Sequence, residues 1–103
     1  MQPFDPAKAI PGTVLHDVDA ASLLSSKNRL VQWRLDDQHA LLATNTARWD
    51  MIEVNWAGVV LAGRHGARAA AERGLPVDVL IRDLPMPSEG PILTVPVVSE
   101  PRP

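Results

Sequence analysis

The ten prolines of this 103-residue chain lie almost entirely near its two ends. Because proline fixes φ and lacks a backbone N–H, it is excluded from helix interiors and from central strands. Residues 1–12 hold three prolines and residues 85–103 hold six, whereas residues 13–84 hold only Pro76. We therefore expect an extended N-terminal arm (1–12), one core domain (13–84) and an extended, Pro-rich C-terminal tail (85–103).

The longest periodic stretch of the core covers residues 46–74. Its apolar residues recur at intervals of three and four, which is typical of an amphipathic helix. Asn45 or Thr46 would cap the start of this helix, and Gly74 followed by Pro76 would end it. The pattern predicts one long central helix.

That predicted helix has two apolar stripes on roughly opposite sides. A helix that is apolar on two sides must pack against two surfaces. The main stripe would cover the sheet, whereas the second has no evident partner within the predicted core. The main stripe comprises Trp49, Ile52, Trp56, Val59, Val60, Gly63, Ala67 and Ala70, and the second comprises Met51, Val54, Leu61 and Ala62.

Alternating apolar and polar residues predict strands on both sides of the helix. Residues 13–18 form one such strand, followed by a short helix over residues 20–26 that Asp19 would cap. Residues 29–44 predict a β-hairpin with Trp33 in the core, and residues 77–84 predict a further strand. The sequence thus predicts an α+β fold in which a small, mostly antiparallel sheet packs on one long helix.

The tail contains one more strand candidate, residues 92–98. Pro96 cannot donate a ladder hydrogen bond, so this strand would lie at a sheet edge or pair with another molecule. Extended arms of this kind are suited to strand addition onto a neighbouring chain.

Composition excludes several classes of protein. The chain has no cysteine, which removes disulfides and thiolate metal sites, and no apolar run long enough to span a bilayer. Its formal net charge of −2 makes nucleic acid an unlikely partner. Abundant Ala, and Arg in place of Lys, suggest a bacterial or phage origin, and we expect a cytoplasmic protein, or a virion protein if it is phage-derived.

Histidine and aspartate cluster at two places that could form a metal site. His16, Asp17 and Asp19 are close in sequence, and Asp37 and His39 form a second pair. Imidazole and carboxylate are both suitable ligands for a divalent ion. A metal-dependent or small-molecule site is therefore one alternative function, although the same residues can also serve as turn formers and caps.

Three arginines near the end of the predicted helix suggest a second alternative. The chain could be a regulator that binds nucleic acid or protein through Arg64, Arg68 and Arg73, although Asp50, Glu53 and Glu72 dilute their field. The segment from Gly63 to Gly66 resembles a glycine-bounded phosphate loop. It is rejected as one here because it falls late in the predicted helix, and phosphate sites use the start of a helix.

No nucleophile, acid–base pair or cofactor motif is evident, so we expect no catalytic residue and no cofactor. The leading hypothesis is a non-enzymatic assembly or protein-interaction subunit that forms a homo-oligomer or a larger protein assembly, such as a small phage or mobile-element structural protein. Two features motivate this hypothesis: the second apolar stripe, which has no partner within the predicted core, and the two terminal arms. The interface candidates are Met51, Val54, Leu61, His65, Phe4, Ile92, Val95 and Val97.

Overall fold

The computed structural model describes residues 1–44 and 51–103. Within these residues the chain forms an α+β fold with two helices and seven strands. The elements are β1 (Val14–Asp19), β2 (Leu24–Ser25), β3 (Leu30–Val31), α1 (Gln32–Ala43), β4 (Ile52–Asn55), β5 (Val59–Ala62), α2 (Arg64–Glu72), β6 (Pro76–Arg82) and β7 (Val97–Val98).

The main sheet has five strands in the order β1-β6-β4-β5-β2. Strand β1 pairs antiparallel with β6, and β4 pairs antiparallel with β5. The other two pairings, β4 with β6 and β2 with β5, are parallel. The prediction of a mostly antiparallel sheet is therefore wrong, and the sheet is mixed. Strands β3 and β7 pair parallel in a separate two-stranded sheet.

The prediction of one long helix over residues 46–74 is also wrong. This part of the chain contains β4, β5 and the short helix α2. The Asn55 Oδ1 atom accepts hydrogen bonds from the backbone N–H groups of Ala57 and Val59, and Gly58 adopts a positive φ of 81°. These features build a tight turn between two strands, which interrupts any helix. Residues 45–50, which include the predicted cap residues and Trp49, lie outside the described residues.

The predicted hairpin over residues 29–44 is helix α1 instead, and only Leu30–Val31 keeps a strand conformation. Residues 32–43 are mostly good helix formers, whose propensity outweighs the short alternation around Trp33. Helix α1 packs against α2, and Leu35 is its buried residue. Trp33 is half-buried and does not anchor the main core.

Several local predictions are confirmed. Strand β1 covers the predicted residues 13–18 except the first and ends one residue later, and β6 alternates buried Val77, Val79 and Ile81 with more exposed neighbours. Asp19 caps as expected, but the element that it caps is a single 3₁₀ turn, Ala20–Ser22, rather than a helix.

The end of α2 also follows its sequence signal. The N–H of Gly74 donates to the carbonyl of Ala71, and the N–H of Leu75 donates to the carbonyl of Ala70. These two bonds, with Gly74 at a φ of 66°, form a Schellman motif.

The hydrophobic core lies between α2 and the main sheet. The alanines of α2 are small enough to bring its backbone close to the sheet, and Ala67 and Ala70 are fully buried against it. Ile92 from the tail and Leu23 complete this cluster. Among the described residues, no helix is both long enough and apolar enough to cross a membrane.

Both terminal segments contact the core of their own chain. Gln2 forms a parallel bridge with Val18 of β1, and the Phe4 ring packs on the core cluster. Of the strand candidate 92–98, only Val97–Val98 is a strand, and it pairs with Leu30–Val31 of its own chain.

Candidate anion-binding cleft

The parallel pairing of β2 with β5 brings two loops to the same edge of the sheet. The loop that follows β2 contains Lys27 and Arg29, and the turn that follows β5 leads directly into α2. The carboxyl ends of parallel strands are a common position for ligand sites in sheets of this kind. A cleft of about 390 Å³ opens there, lined by Lys27, Asn28, Arg29, Val31, Trp33, Arg34, Arg64, His65, Glu100, Pro101 and Pro103.

The first turn of α2 forms one wall of this cleft. Gly63 precedes the helix with a left-handed φ of 84°, and no side chain caps the helix start. The first N–H groups of a helix have no intrahelical partner, and together with the helix dipole they create a partial positive charge. This helix start is therefore a ready site for an anion.

Two serines hold the loop that forms the opposite wall. The buried Ser25 hydroxyl donates to the carbonyl of Lys27 at 2.6 Å and accepts from the Lys27 N–H at 3.1 Å. The Ser26 hydroxyl donates to the carbonyl of Val60 in β5, also at 2.6 Å. These bonds fix the loop to the sheet, so that the Lys27 backbone has a defined position beside the cleft.

Arg64 carries a buried nitrogen that is not hydrogen-bonded. Over residues 1–44 and 51–103, its Nε is the only buried side-chain nitrogen or oxygen without a partner. An unsatisfied buried donor costs about 1–3 kcal/mol, more when the group is charged. The Arg64 guanidinium is thus positioned in the cleft wall with unused capacity to donate a hydrogen bond.

His65 lies at the base of the cleft as a neutral side chain. Burial, and then the charges of Arg64 and Arg34, lower its pKa from 6.5 to about 4. Its Nε2 accepts a hydrogen bond from the backbone N–H of Val31 at 3.0 Å, so the ring proton resides on Nδ1. His65 therefore ties Val31 of β3 to α2, and its lowered pKa reflects first its burial and then the charges of Arg64 and Arg34.

The side chains of the cleft carry an excess of positive charge. Lys27, Arg29, Arg34 and Arg64 are cationic, and among the described residues Glu100 is the one acidic side chain that lines the cleft. Glu100 lies 3.6 Å from the Arg29 guanidinium. The chain as a whole has a formal charge of −2, so this positive patch is a local feature.

The predicted interface residues occupy different environments. Val54, Ile92, Val95 and His65 are buried within their own chain, and Phe4 packs on the core. Leu61 and Val97 are half-buried strand residues. Met51 is 47% exposed. Because residues 51–74 form two strands and a short helix, the predicted interface residues do not form the second apolar stripe on which the interface hypothesis depended.

The residues of the metal hypothesis have separate partners. His16 pairs with Asp78 on the neighbouring strand, whereas Asp37 pairs with Arg102 from the tail. His39 is bound to Glu72. In the described part of the chain, no group of three or more His, Asp or Glu side chains is placed to hold a metal ion.

The three arginines of the nucleic-acid hypothesis are divided between two sites. Arg64 lines the cleft. Arg68 instead donates to the carbonyls of Ile92 and Val95 and to the Glu72 carboxylate.

Arg73 belongs to the same network, because its Nε donates to His39 Nδ1 while His39 Nε2 donates to Glu72. Burial raises the pKa of Glu72, but hydrogen bonds from His39 and Arg68 outweigh this effect and leave it below its usual value. This network joins α1, α2 and the tail.

The structure overturns the rejection of Gly63–Gly66 as an anion site. It also places in the cleft several cationic residues that were not predicted from the sequence. The segment Gly63–Gly66 lies at the start of α2 and not late in a long helix, so the reason for rejecting it as an anion site does not hold. Lys27, Arg29 and Arg34 were not among the predicted site residues. The signal that could have found the site is Gly63 itself, which ends an apolar run and precedes an Ala-rich helix.

Comparison of the chain with protein-family models, with curated proteins and with solved structures finds no match.

Proposed function

We propose that this protein is a binding module for a phosphorylated small molecule, whose phosphate group lies against the first turn of α2. The observation that carries the proposal is the buried, unpartnered Nε of Arg64 at the start of that helix. Uncapped helix starts and arginine guanidinium groups both donate to phosphate oxygens in proteins, and α2 begins with the two together.

The other cations of the cleft support a ligand with more than one negative charge. Lys27 and Arg29 approach from the loop after β2, and Arg34 approaches from the first turn of α1. Cations from three separate elements converge on one volume, which is the arrangement that a polyanionic group such as a diphosphate requires. A single carboxylate ligand would leave most of this charge unused.

The dimensions of the cleft favour a small molecule over nucleic acid. Its volume of about 390 Å³ falls within the range of small-molecule sites. Duplex binding depends on a basic surface that follows several phosphates, and the net charge of −2 provides no such general attraction.

We propose binding and not turnover. The one imidazole in the cleft, His65, has its Nε2 engaged by Val31 and a pKa of about 4. It is therefore poorly suited to exchange a proton with a ligand at neutral pH.

Titration calorimetry with inorganic pyrophosphate tests the proposal. We expect pyrophosphate to bind the wild-type protein, and Arg64→Met to weaken that binding at least about tenfold through loss of charge-assisted hydrogen bonds. Arg82→Gln is the matched control, since Arg82 pairs with Glu53 on the sheet and does not line the cleft. It removes the same charge and should leave the affinity nearly unchanged.

The same titration with a short DNA duplex tests whether the bound phosphate belongs to nucleic acid. If the duplex binds more tightly than pyrophosphate and Arg64→Met weakens it, the phosphate belongs to nucleic acid and the small-molecule proposal is wrong. Failure of the wild-type protein to bind pyrophosphate at millimolar concentration would also reject it.

The assembly-subunit hypothesis remains a second proposal, now supported only by exposed apolar side chains. Met51 is 47% exposed and Leu84 is 48% exposed. Light scattering coupled to size-exclusion chromatography tests it: a concentration-dependent oligomer that Met51→Ser weakens would support it, and a monomer at all concentrations would reject it.

A further inference from the structure

The tail returns to the cationic cleft and forms part of its lining. Pro101 and Pro103 line the cleft, and the Glu100 carboxylate lies 3.6 Å from the Arg29 guanidinium. The protein thus places its own carboxylate next to a cation of the proposed phosphate site. We refer to residues 100–103 as the strap.

The strap is attached to α1 by one residue. Arg102 donates two hydrogen bonds to the Asp37 carboxylate, at 3.0 and 3.1 Å, and its guanidinium lies 4.9 Å from the centroid of the Trp33 ring. The bidentate pair raises the pKa of Arg102. Arg34 lies 5.0 Å from the same ring, so Trp33 has a cation from the strap and a cation of the cleft beside it.

We propose that the strap is a displaceable, self-inhibitory element that competes with the anionic ligand for the cleft. Glu100 neutralises Arg29 in the unliganded protein, and the Arg102–Asp37 latch keeps the strap in place. Ligand binding releases Glu100 from Arg29. This inference rests on the proposed phosphate site and adds the way in which access to it is controlled.

The exposure of these contacts makes displacement feasible. The side chains of Arg29 and Glu100 are 63% and 42% exposed, and those of Arg102 and Asp37 are 57% and 48% exposed. Exposed ion pairs are weak because water screens them, whereas a phosphate group offers more charge and several acceptor oxygens. The segment before the strap is held much more firmly, since the largely buried Arg68 binds the carbonyls of Ile92 and Val95. We therefore expect release to be confined to the strap, residues 100–103.

Arg102→Gln provides a decisive test, because the strap and simple electrostatics predict opposite effects. Removing a cation near the cleft should weaken anion binding if Arg102 acts only by its charge. Opening the latch should instead tighten pyrophosphate binding about two- to fivefold, by increasing the fraction of molecules with an open cleft. Asp37→Asn opens the same latch from α1 and should also tighten binding. Arg82→Gln again controls for the loss of one positive charge.

Nuclear magnetic resonance can detect the release of the strap from Trp33. The indole N–H signal of Trp33, assigned with Trp33→Phe, should move in the same direction on Arg102→Gln as on addition of pyrophosphate to the wild-type protein. If Arg102→Gln binds pyrophosphate as tightly as the wild-type protein or more weakly, the proposal that the strap inhibits binding is wrong, whereas the proposed phosphate site is not contradicted. If the wild-type protein binds no pyrophosphate, the proposed function and the strap both fail.

Discussion

The Nε2 atom of His65 accepts a hydrogen bond from the backbone N–H of Val31 at 3.0 Å. This bond joins the start of α2 to the start of α1 across 34 residues of sequence. It can form only while the imidazole is neutral at Nε2, so the geometry of the cleft depends on the protonation state of one buried side chain.

We expect the stability of the protein to fall as the pH decreases through the window set by His65. In the unfolded chain this histidine takes up a proton near pH 6.5, whereas the folded pKa is about 4. Between these values the unfolded state binds more protons than the folded state, so the free energy of unfolding decreases as the pH falls. One pKa unit corresponds to about 1.4 kcal/mol, and partial screening by water brings the expected loss to about 2 kcal/mol.

Urea denaturation at several pH values measures this effect. His65→Gln keeps an acceptor for the Val31 N–H but does not titrate, so its free energy of unfolding should decline less between pH 6.5 and 4. Parallel pH profiles for the two proteins would contradict the assignment of this loss to His65.

Arg68→Lys should destabilise the protein by about 1–3 kcal/mol. The Arg68 guanidinium donates to the carbonyls of Ile92 and Val95 and also to the Glu72 carboxylate. A lysine ammonium lacks the planar fork needed to reach these three acceptors together, and it leaves at least one of them without its partner.

The same substitution at Arg82 provides the control for that measurement. Arg82 is 50% exposed and binds Glu53 at the surface. Arg82→Lys should change the free energy of unfolding by less than about 0.5 kcal/mol. Equal effects of the two substitutions in chemical denaturation would show that Arg68 does not hold the tail.

Gly63→Ala should cost more stability than Gly74→Ala. Both glycines have left-handed backbones, with φ values of 84° and 66°, so either alanine would be strained by about 1–2 kcal/mol. A Cβ atom at Gly63 would also lie only 3.2 Å from Cγ1 of the buried Ile52, whereas one at Gly74 would meet no atom within 4 Å. We therefore expect a difference of about 1 kcal/mol in thermal or urea unfolding, and equal losses would contradict this packing argument.

Ile92→Ala tests whether the tail belongs to the folded core. Ile92 is fully buried in the main apolar cluster, so its truncation should cost about 2–4 kcal/mol. The adjacent Leu93 is 41% exposed, and Leu93→Ala should cost less than about 1 kcal/mol. Similar, small losses for the two variants in urea denaturation would mean that the tail detaches from the core in solution.

Short-range signals in the sequence account for the parts of the fold that were predicted correctly. The alternation in β6, the Asp19 cap and the Gly74 helix end each depend on a few neighbouring residues, and each appears as expected. The proline distribution likewise agrees with the scarcity of regular structure at both ends, where Val97–Val98 is the only strand after β6 within the described residues.

The prediction failed at β4 and β5 because these strands are buried on both faces. Val59 and Val60 are consecutive and point to opposite faces, yet both are buried, as are Val54 and Asn55. Interior strands of this kind lose the alternation that identifies a half-buried strand. Their apolar residues then also fit a helical period, so local pattern alone cannot distinguish the two.

The sequence alone determined the α+β class, the local caps and the absence of cysteine chemistry, because these follow from composition and from neighbouring residues. Only the tertiary structure decided the cleft. Lys27 lies 37 residues before Arg64 in the sequence, and the two reach the same cleft because β2 and β5 pair in parallel and leave the sheet at one edge. That pairing depends on long-range hydrogen bonds and burial, which no periodicity along the chain encodes.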